Sequence, residues 1–224
     1  GMMSRDALQR CPHLIGVPYE FDNYEAVSDK IYEIFAQCIG YESGRIEAVS
    51  CDEAYLDLSG LDPKMGDLSQ SQPAAAADSM PTPSWDVDRL QWAETWASRI
   101  RTEVSAATGC PVSAGLGPNK LIARLATADA KPDGQRVLLD PADIDQHLGS
   151  LPVRKLPGLG HTGRKKLQEE LRIDADTTVA VVRQRASEES LKRVLGNAYG
   201  ASLYMMLHGQ DHRELETQHV RKSY

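Results

Sequence analysis

Apolar residues recur along the first 40 positions with two different spacings. Between residues 24 and 39 they lie three or four positions apart, as at Val27, Ile31 and Ile34, and this spacing predicts a helix. The short apolar run at 14–19 instead predicts a strand.

Two further short apolar runs lie on either side of an acidic tripeptide. They cover residues 46–50 and 54–58 and flank Cys51-Asp52-Glu53. Strand-like runs that close around a short polar segment are typical of a hairpin. We therefore expect both acidic residues at or beside its turn.

Helical and strand-like segments continue to alternate after residue 87. The pattern predicts a helix over 87–108, a strand over 111–116, a helix over 120–128, a strand over 137–139 and a short helix begun by Asp140-Pro141. This alternation favours a layered α/β or α+β sheet domain that ends near residue 152. Residues 153–217 are helical throughout in pattern and predict a second, small domain.

Residues 62–85 differ from the rest of the chain. They contain four prolines, four consecutive alanines and repeated Ser, Gln and Asp, so little side-chain surface is available for burial. We expect a flexible insertion there.

No apolar stretch reaches the roughly 20 residues of a membrane span, and Gly1 before Met2 is expected to be a tag remnant.

Charge is distributed unequally along the 224 residues, whose net charge is −7. Residues 1–150 contain 12 Lys and Arg against 23 Asp and Glu, whereas residues 151–224 contain 13 against 9. The acidic overall balance argues against a nucleic-acid partner, but the basic second part favours one. The halves together suggest an acidic catalytic part joined to a basic binding part.

Three carboxylates, Asp52, Glu53 and Asp57, fall within one hairpin of an otherwise apolar sheet. Neighbouring carboxylates repel one another unless they are solvated or neutralised, and Mg²⁺ is a common neutraliser. Two such ions can support phosphoryl transfer. From charge and spacing alone, a solvated acidic turn is the simpler interpretation.

Two glycine-containing segments could contact phosphates. Lys131 lies in the turn-forming segment Ala130–Gln135, where a lysine can act as a point charge, although such turns are common on surfaces. Further on, Leu156–Gly160 precedes Arg164 and Lys165, and this pattern is typical of a helix-hairpin-helix element that binds a nucleic-acid backbone. An ordinary helix-helix turn with a basic surface is the alternative.

Other common site types have no matching pattern. The six histidines are scattered, and there is no G-x-S-x-G elbow, Walker A sequence or dinucleotide-binding fingerprint. The four cysteines are widely spaced and form no zinc-binding pattern.

Four motifs occur in an order that resembles the palm and thumb of Y-family translesion DNA polymerases. They are Ser-x-Asp-Glu-Ala-Tyr-Leu-Asp from Ser50, Asn-Lys-x-x-Ala-Arg-x-Ala from Asn119, Ala-Lys-Pro-Asp-Gly-Gln from Ala130 and Leu-Pro-Gly-Leu-Gly from Leu156. Further segments, among them Cys11-Pro12 and Ile46–Glu53, look most like the Rev-class deoxycytidyl transferases of eukaryotes. Ala-Tyr-Leu-Asp is closer to the DinB-like and kappa-type branch.

The resemblance implies a fold and a role for each motif. The fold is α+β, with a ferredoxin-like palm sheet followed by an all-helical thumb that contains the helix-hairpin-helix. Asp52 and Glu53 would bind two Mg²⁺ ions, and Lys131 would contact the incoming deoxynucleoside triphosphate. Backbone amides at Gly158 and Gly160 would hold primer-template DNA, helped by Arg164 and Lys165.

The resemblance also divides the chain. Residues 1–13 would end the fingers, 14–152 form the palm, 153–217 the thumb and 218–224 the start of a linker to a little finger. The family's first palm strand, with a further metal-binding aspartate, has no counterpart here, so these residues alone should show little or no polymerase activity. Other replication or repair proteins would bind through further regions, and the location would be nuclear in a eukaryote and intracellular otherwise.

Two other functions fit parts of the pattern. A non-catalytic DNA-binding module with a relic palm would keep the thumb but not the chemistry. A nucleotidyl cyclase would share the palm fold and its paired acids, although the thumb hairpin and the closing Arg221-Lys222-Ser223 argue against it.

Overall fold

The computed structural model describes residues 2–40, 45–59, 61 and 87–216. The expected insertion at 62–85, the linker at 218–224 and Gly1 lie outside these residues. Where described, the chain is α+β, as expected, and most of its regular structure is helical. The helices are α1 (Ser4–Arg10), α2 (Phe21–Ile39), α3 (Val87–Thr108), α4 (Lys120–Ala130), α5 (Pro141–Ser150), α6 (His161–Leu171), α7 (Val179–Arg185), α8 (Glu188–Leu195) and α9 (Asn197–Leu207). The strands are β1 (Ile46–Ala48), β2 (Ala54–Leu56), β3 (Ala114–Leu116) and β4 (Gln135–Val137).

The four strands pair in two separate sheets among the described residues. β1 and β2 form an antiparallel hairpin in which Glu47 lies opposite Tyr55. β3 and β4 are parallel, with Gly115 opposite Arg136, and α4 connects them. The single ferredoxin-like sheet expected from the family resemblance is therefore not confirmed.

The strand predicted at residues 14–19 is wrong. This segment connects α1 to α2 and has no regular structure. Its apolar side chains are largely exposed, at 83% for Ile15 and 80% for Val17. Strands need a neighbouring strand to satisfy their backbone hydrogen bonds, and none of the described strands pairs with this segment.

Most helix and hairpin predictions are confirmed, with shifted ends. The short helix after residue 140 shows why such predictions succeed. The Asp140 carboxylate accepts hydrogen bonds from the amides of Ala142 and Asp143 at 2.8 and 3.1 Å, while Pro141 occupies the first turn. Asp at the cap and Pro at the first helical position are both preferred there.

Two groups of buried apolar side chains form the core. The smaller group joins α2 to α3 and includes Ile34, Cys38, Trp96 and Val104. The larger group begins in α4, continues through α5 and extends to α9. This second core crosses residue 152 without a break, so the predicted boundary between palm and thumb stays a prediction.

The chain returns from the end of α9 to the first hairpin. We call residues 208–216 the return segment. Asn119 donates a side-chain hydrogen bond to the carbonyl of Gly209 at 2.8 Å, and Lys120 donates to the carbonyl of Glu214 at 3.2 Å. The amide of Glu216 donates to the carboxylate of Glu47 on β1 at 2.8 Å.

No described helix is long and apolar enough to span a membrane.

Candidate active site and nucleic-acid interface

The acidic residues Asp52 and Glu53 lie in the turn between β1 and β2. The amides of Val49 and Ser50 both donate to the carbonyl of Glu53, at 2.9 and 3.1 Å. These bonds close the turn around Asp52. Both acidic residues are exposed, as a solvated turn requires.

Helix α2 holds this turn from one side through two hydroxyl groups. The Ser28 hydroxyl donates to the carbonyl of Cys51 at 2.7 Å. One helical turn later, the Tyr32 hydroxyl lies 2.8 Å from the carbonyl of Ser50 and 2.9 Å from that of Glu53. Ser28 and Tyr32 therefore fix the backbone that carries the two carboxylates.

The two carboxylates have different neighbours. The hydroxyl of Ser50 donates to one oxygen of Asp52 at 2.6 Å, which orients this side chain. One oxygen of Glu53 lies 3.8 Å from the ammonium nitrogen of Lys131. The side chains of Glu53 and Lys131 are 52% and 60% exposed, so their attraction is weakened by water.

The position of Lys131 follows from the residue after it. Pro132 disfavours helical backbone at the residue that precedes it, so α4 ends at Ala130 and Lys131 is extended, with φ −75° and ψ 140°. This change of direction brings Lys131 to the acidic turn. The structure therefore brings together three of the predicted site residues, Asp52, Glu53 and Lys131.

The third carboxylate of the motif does not join them. Asp57 follows β2, where one of its oxygens accepts a hydrogen bond from the amide of Ser59 at 2.8 Å. In the described part of the chain, no group of three or more His, Cys, Asp or Glu residues could hold a metal ion. Asp52 and Glu53 supply exposed carboxylate oxygens, the ligand type that Mg²⁺ prefers, but they form only part of a coordination shell.

The second predicted site lies at the start of α6. A three-residue 3₁₀ helix, Val153–Lys155, leads into the loop at 156–160. Gly158 has φ +81°, a conformation that favours glycine, and a Cβ there would lie 3.4 Å from the ring of Tyr199. Gly158 therefore serves both the turn and its packing against α9.

Helix α6 begins at His161, with Gly160 as its N-cap and no side-chain cap. Its first amides are thus available to an anion, as is common at helix N-termini. Arg164 and Lys165 lie in the first turns, and Lys165 is 3.8 Å from Glu169. Gly158, Gly160, Arg164 and Lys165 lie in the loop and the first turns of α6, and we call them the basic cluster; the helix-hairpin-helix assignment stays a prediction.

Sequence reasoning missed several residues that shape the first site. Glu47 and Lys120 form a buried ion pair beneath the hairpin, and Ser28 and Tyr32 hold its turn. Arg101 contacts the segment that carries Lys131. Glu47 and Lys120 lie in segments that carry the family resemblance, but nothing in the local pattern indicated these contacts, because polar residues are mostly solvated.

The sequence matches a known family over residues 1–128, described as the IMS: impB/mucB/samB family. The chain is 33% identical over 224 residues to the DNA repair protein Rev1 of Drosophila melanogaster, and 34% identical over 223 residues to REV1 of Arabidopsis thaliana. These matches cover 100% of this chain but only 19% and 17% of the two relatives.

Bacterial relatives match at a similar identity but over less of the chain. DNA polymerase IV of Xanthomonas axonopodis pv. citri is 35% identical over 206 residues, which is 92% of this chain and 47% of that protein. The chain thus spans less than half the length of each of these relatives.

Solved structures show the same fold. An insertion ternary complex of Dbh DNA polymerase superposes with a TM-score of 0.73 at 24% identity, covering 96% of this chain and 53% of Dbh. DinB from Sulfolobus solfataricus gives a TM-score of 0.71, also at 24% identity, over 100% of this chain and 54% of that protein.

Proposed function

Since the chain belongs to the impB/mucB/samB family, the Y-family of translesion DNA polymerases, we propose that it forms part of the core of a DNA-directed nucleotidyl transferase. The reaction is insertion of a nucleotide, dCMP above all, opposite a damaged template base. The observation that supports this proposal is the meeting of Glu53 and Lys131, with 3.8 Å between their charged groups.

Each group at the acidic turn has a task in this reaction. Asp52 and Glu53 would hold Mg²⁺, and the bound ion would supply activation of the primer 3′-hydroxyl and offset the charge of the triphosphate. Lys131 contacts that triphosphate as a point charge. Ser28 and Tyr32 keep the turn fixed, which limits the reorganisation needed when substrates bind.

The basic cluster has a separate task. The amides that begin α6, with Arg164 and Lys165, hold the sugar-phosphate backbone of primer-template DNA without reading its sequence. Their attraction keeps the primer end near the acidic turn. The separation of catalysis at the acidic turn from DNA binding at the basic cluster agrees with the acidic first part and basic second part of the sequence.

The test uses the full-length protein, primer-template DNA and Mg²⁺. We expect Asp52→Asn and Glu53→Gln to lower single-nucleotide insertion at least about 100-fold, because each removes a charge that binds the metal ion. DNA affinity should remain within about twofold, since the basic cluster is intact. Asp57→Asn is the matched control and should insert normally.

A second function makes a different prediction. A non-catalytic DNA-binding module would bind DNA without inserting any nucleotide, and Asp52→Asn would then change nothing. A wild-type protein that binds primer-template DNA but never extends it would support this alternative.

The choice between the Rev-class and DinB-like branches needs a further measurement, because the relatives of both kinds are 33–35% identical. We propose the Rev class, with a nuclear location. Supplying the four deoxynucleotides one at a time tests this choice. Preference for dCTP with every template base supports it, and insertion that follows the template base supports the DinB-like branch.

A further inference from the structure

Arg101 binds three segments of the chain through one guanidinium group. Its Nε donates to the carbonyl of Val112 at 2.7 Å. One terminal nitrogen donates to the carbonyl and to the carboxylate of Asp133, at 2.7 and 2.9 Å. The other donates to the side-chain oxygen of Gln135 at 3.3 Å. Arg101 thus connects α3 to the segment before β3, to the turn after Lys131 and to the first residue of β4.

The turn that Arg101 contacts also contains the candidate nucleotide-binding lysine. Lys131 lies two residues before Asp133, and Asp133 has a left-handed backbone with φ +43°. Few residues other than glycine adopt this conformation without help, although Asp tolerates it better than most. Two hydrogen bonds from Arg101 to Asp133 hold the turn in this shape.

The side chain of Lys131 is itself only weakly restrained. Its side chain is 60% exposed, and its ion-pair contact with Glu53 spans 3.8 Å. The Arg101 side chain, in contrast, is only 21% exposed. The position of the Lys131 ammonium group over the acidic turn is therefore set mainly by the backbone of the turn, which Arg101 holds.

We propose that Arg101 is a positioning residue for nucleotide binding: it holds the turn at residues 131–135 so that Lys131 meets the triphosphate. This inference rests on the proposed function, since it assumes that Lys131 contacts the triphosphate. The contacts of Arg101 described above include none with Asp52, Glu53 or Lys131, so it acts through the turn.

Arginine is the residue suited to this task. Its five N–H donors lie in one plane and can satisfy acceptors on three segments at once. Lysine keeps the charge but offers a single nitrogen at the end of a flexible stem. Arg101→Lys should therefore restore only part of the function.

The kinetic test uses the full-length protein on primer-template DNA. Arg101→Met should raise the KM for the incoming nucleotide about tenfold, the size expected from a lost charge-assisted hydrogen bond, with a smaller change in kcat. Arg101→Lys should fall between Arg101→Met and wild type. A merely structural role would reduce the fraction of active protein, which lowers apparent kcat and leaves KM unchanged.

A double-mutant cycle tests whether Arg101 acts through Lys131. If it does, Arg101→Met should change the KM of the Lys131→Ala variant by less than about twofold, because residues that act as a unit are not additive. Independent, multiplied effects would overturn the inference. So would a Lys131→Ala variant whose KM equals that of wild type.

Arg99 provides a matched control on the same helix. It pairs with Glu103 at 2.6 Å, lies over the Trp96 ring and is 26% exposed on its side chain. Arg99→Met removes the same charge at a similar exposure but leaves the turn untouched. Its KM should stay within about twofold of wild type.

Hydrogen exchange separates failure of this inference from failure of the proposed function. Arg101→Met should speed amide exchange in residues 133–137, whereas Arg99→Met should not. If the wild-type protein inserts no nucleotide, the proposed function fails, whereas hydrogen exchange still tests whether Arg101 holds the turn at residues 131–135. Unchanged exchange at residues 133–137 would overturn the inference.

Discussion

The ammonium nitrogen of Lys120 lies 2.6 Å from a carboxylate oxygen of Glu47, and the two side chains are only 8% and 9% exposed. Lys120 is the first residue of α4, and Glu47 is the middle residue of β1. Lys120 also lies 5.2 Å from the centre of the Tyr55 ring. The pair therefore joins the hairpin of the acidic turn to the helix that ends before Lys131.

Loss of one partner of this pair should destabilise the protein strongly. Lys120→Met leaves the Glu47 carboxylate buried without its cation, and a cost of about 3–5 kcal/mol is typical of such a change. Glu47→Leu combined with Lys120→Met should recover most of that loss, because no charge then stays buried.

Urea unfolding measures these differences, and an exposed pair serves as control. Lys165 and Glu169 are 65% and 60% exposed, so Glu169→Gln should cost less than about 1 kcal/mol. Equal losses in the free energy of unfolding for Glu169→Gln and Lys120→Met would contradict the importance that we give to burial.

The basic cluster at α6 should determine the salt dependence of DNA binding. Arg164→Gln and Lys165→Gln should each lower the slope of log affinity against log salt by about 1, since each removes one phosphate contact. Affinity titrations from low to moderate salt measure this slope.

Arg172 is a suitable control for that experiment because it lies at the opposite end of α6. Its φ of +55° is a conformation that asparagine tolerates well, so Arg172→Asn removes a charge without backbone strain. The slope should then match that of wild type. A slope reduced as much as in Arg164→Gln would mean that net charge, rather than the cluster, governs binding.

Cys38 should remain a thiol well into the alkaline range. Burial, helped by its 3.4 Å contact with Glu103, raises the pKa of the Cys38 thiol to about 12 from its ordinary value of 9.0. Because the folded pKa is the higher one, the stability from this shift is present below pH 9 and is lost as pH rises toward 12.

Two measurements check this prediction. The free energy of unfolding of wild type should fall relative to that of Cys38→Ala between pH 9 and pH 12, because the variant lacks the titrating group. Below pH 9, a thiol-reactive probe should label the exposed Cys11 far faster than Cys38. A constant free-energy difference, or equal labelling rates, would count against the raised pKa.

Gly200 should be difficult to replace because α9 crosses α8 there. A Cβ at Gly200 would overlap the backbone of Leu191 and Lys192, so Gly200→Ala should cost about 1–3 kcal/mol through overpacking. Gly149 in α5 is the control, since a Cβ there would meet only Ala180, at 3.6 Å. Gly149→Ala should stabilise the protein by up to about 1 kcal/mol, because alanine favours helices. In thermal unfolding, the midpoint temperature should fall for Gly200→Ala and rise for Gly149→Ala.

The sequence predicts features whose cause lies within a few residues. Asp140 with Pro141 marks the start of α5, and the residues around Cys51 mark the hairpin turn, because caps and turns depend on local hydrogen bonds. The local patterns left the α/β and α+β classes open, and the family resemblance implied α+β. The segment at 14–19 shows the limit, because a short apolar run does not tell whether a partner strand exists.

The parts that could not be predicted depend on distant contacts. Arg101 meets Asp133 across 32 positions, and Lys120 meets Glu47 across 73. The sequence around Arg101 or Lys120 looks the same as that around a solvated arginine or lysine in a helix, because their partners become neighbours only when the chain folds. Asp52, Glu53 and Lys131 were predicted through the order of their motifs, whereas the residues that hold them were not.

The return segment contacts the first hairpin only late in protein synthesis, because it lies near the end of the described chain. The amide of Glu216 bonds to Glu47 across 169 positions of the chain. A ribosome adds residues at about 5–20 per second and releases the amino-terminal part first. The β1–β2 hairpin therefore emerges many seconds before the amide that donates to the Glu47 carboxylate. The last of the described residues to leave the ribosome is therefore the one whose amide binds the buried Glu47 side chain.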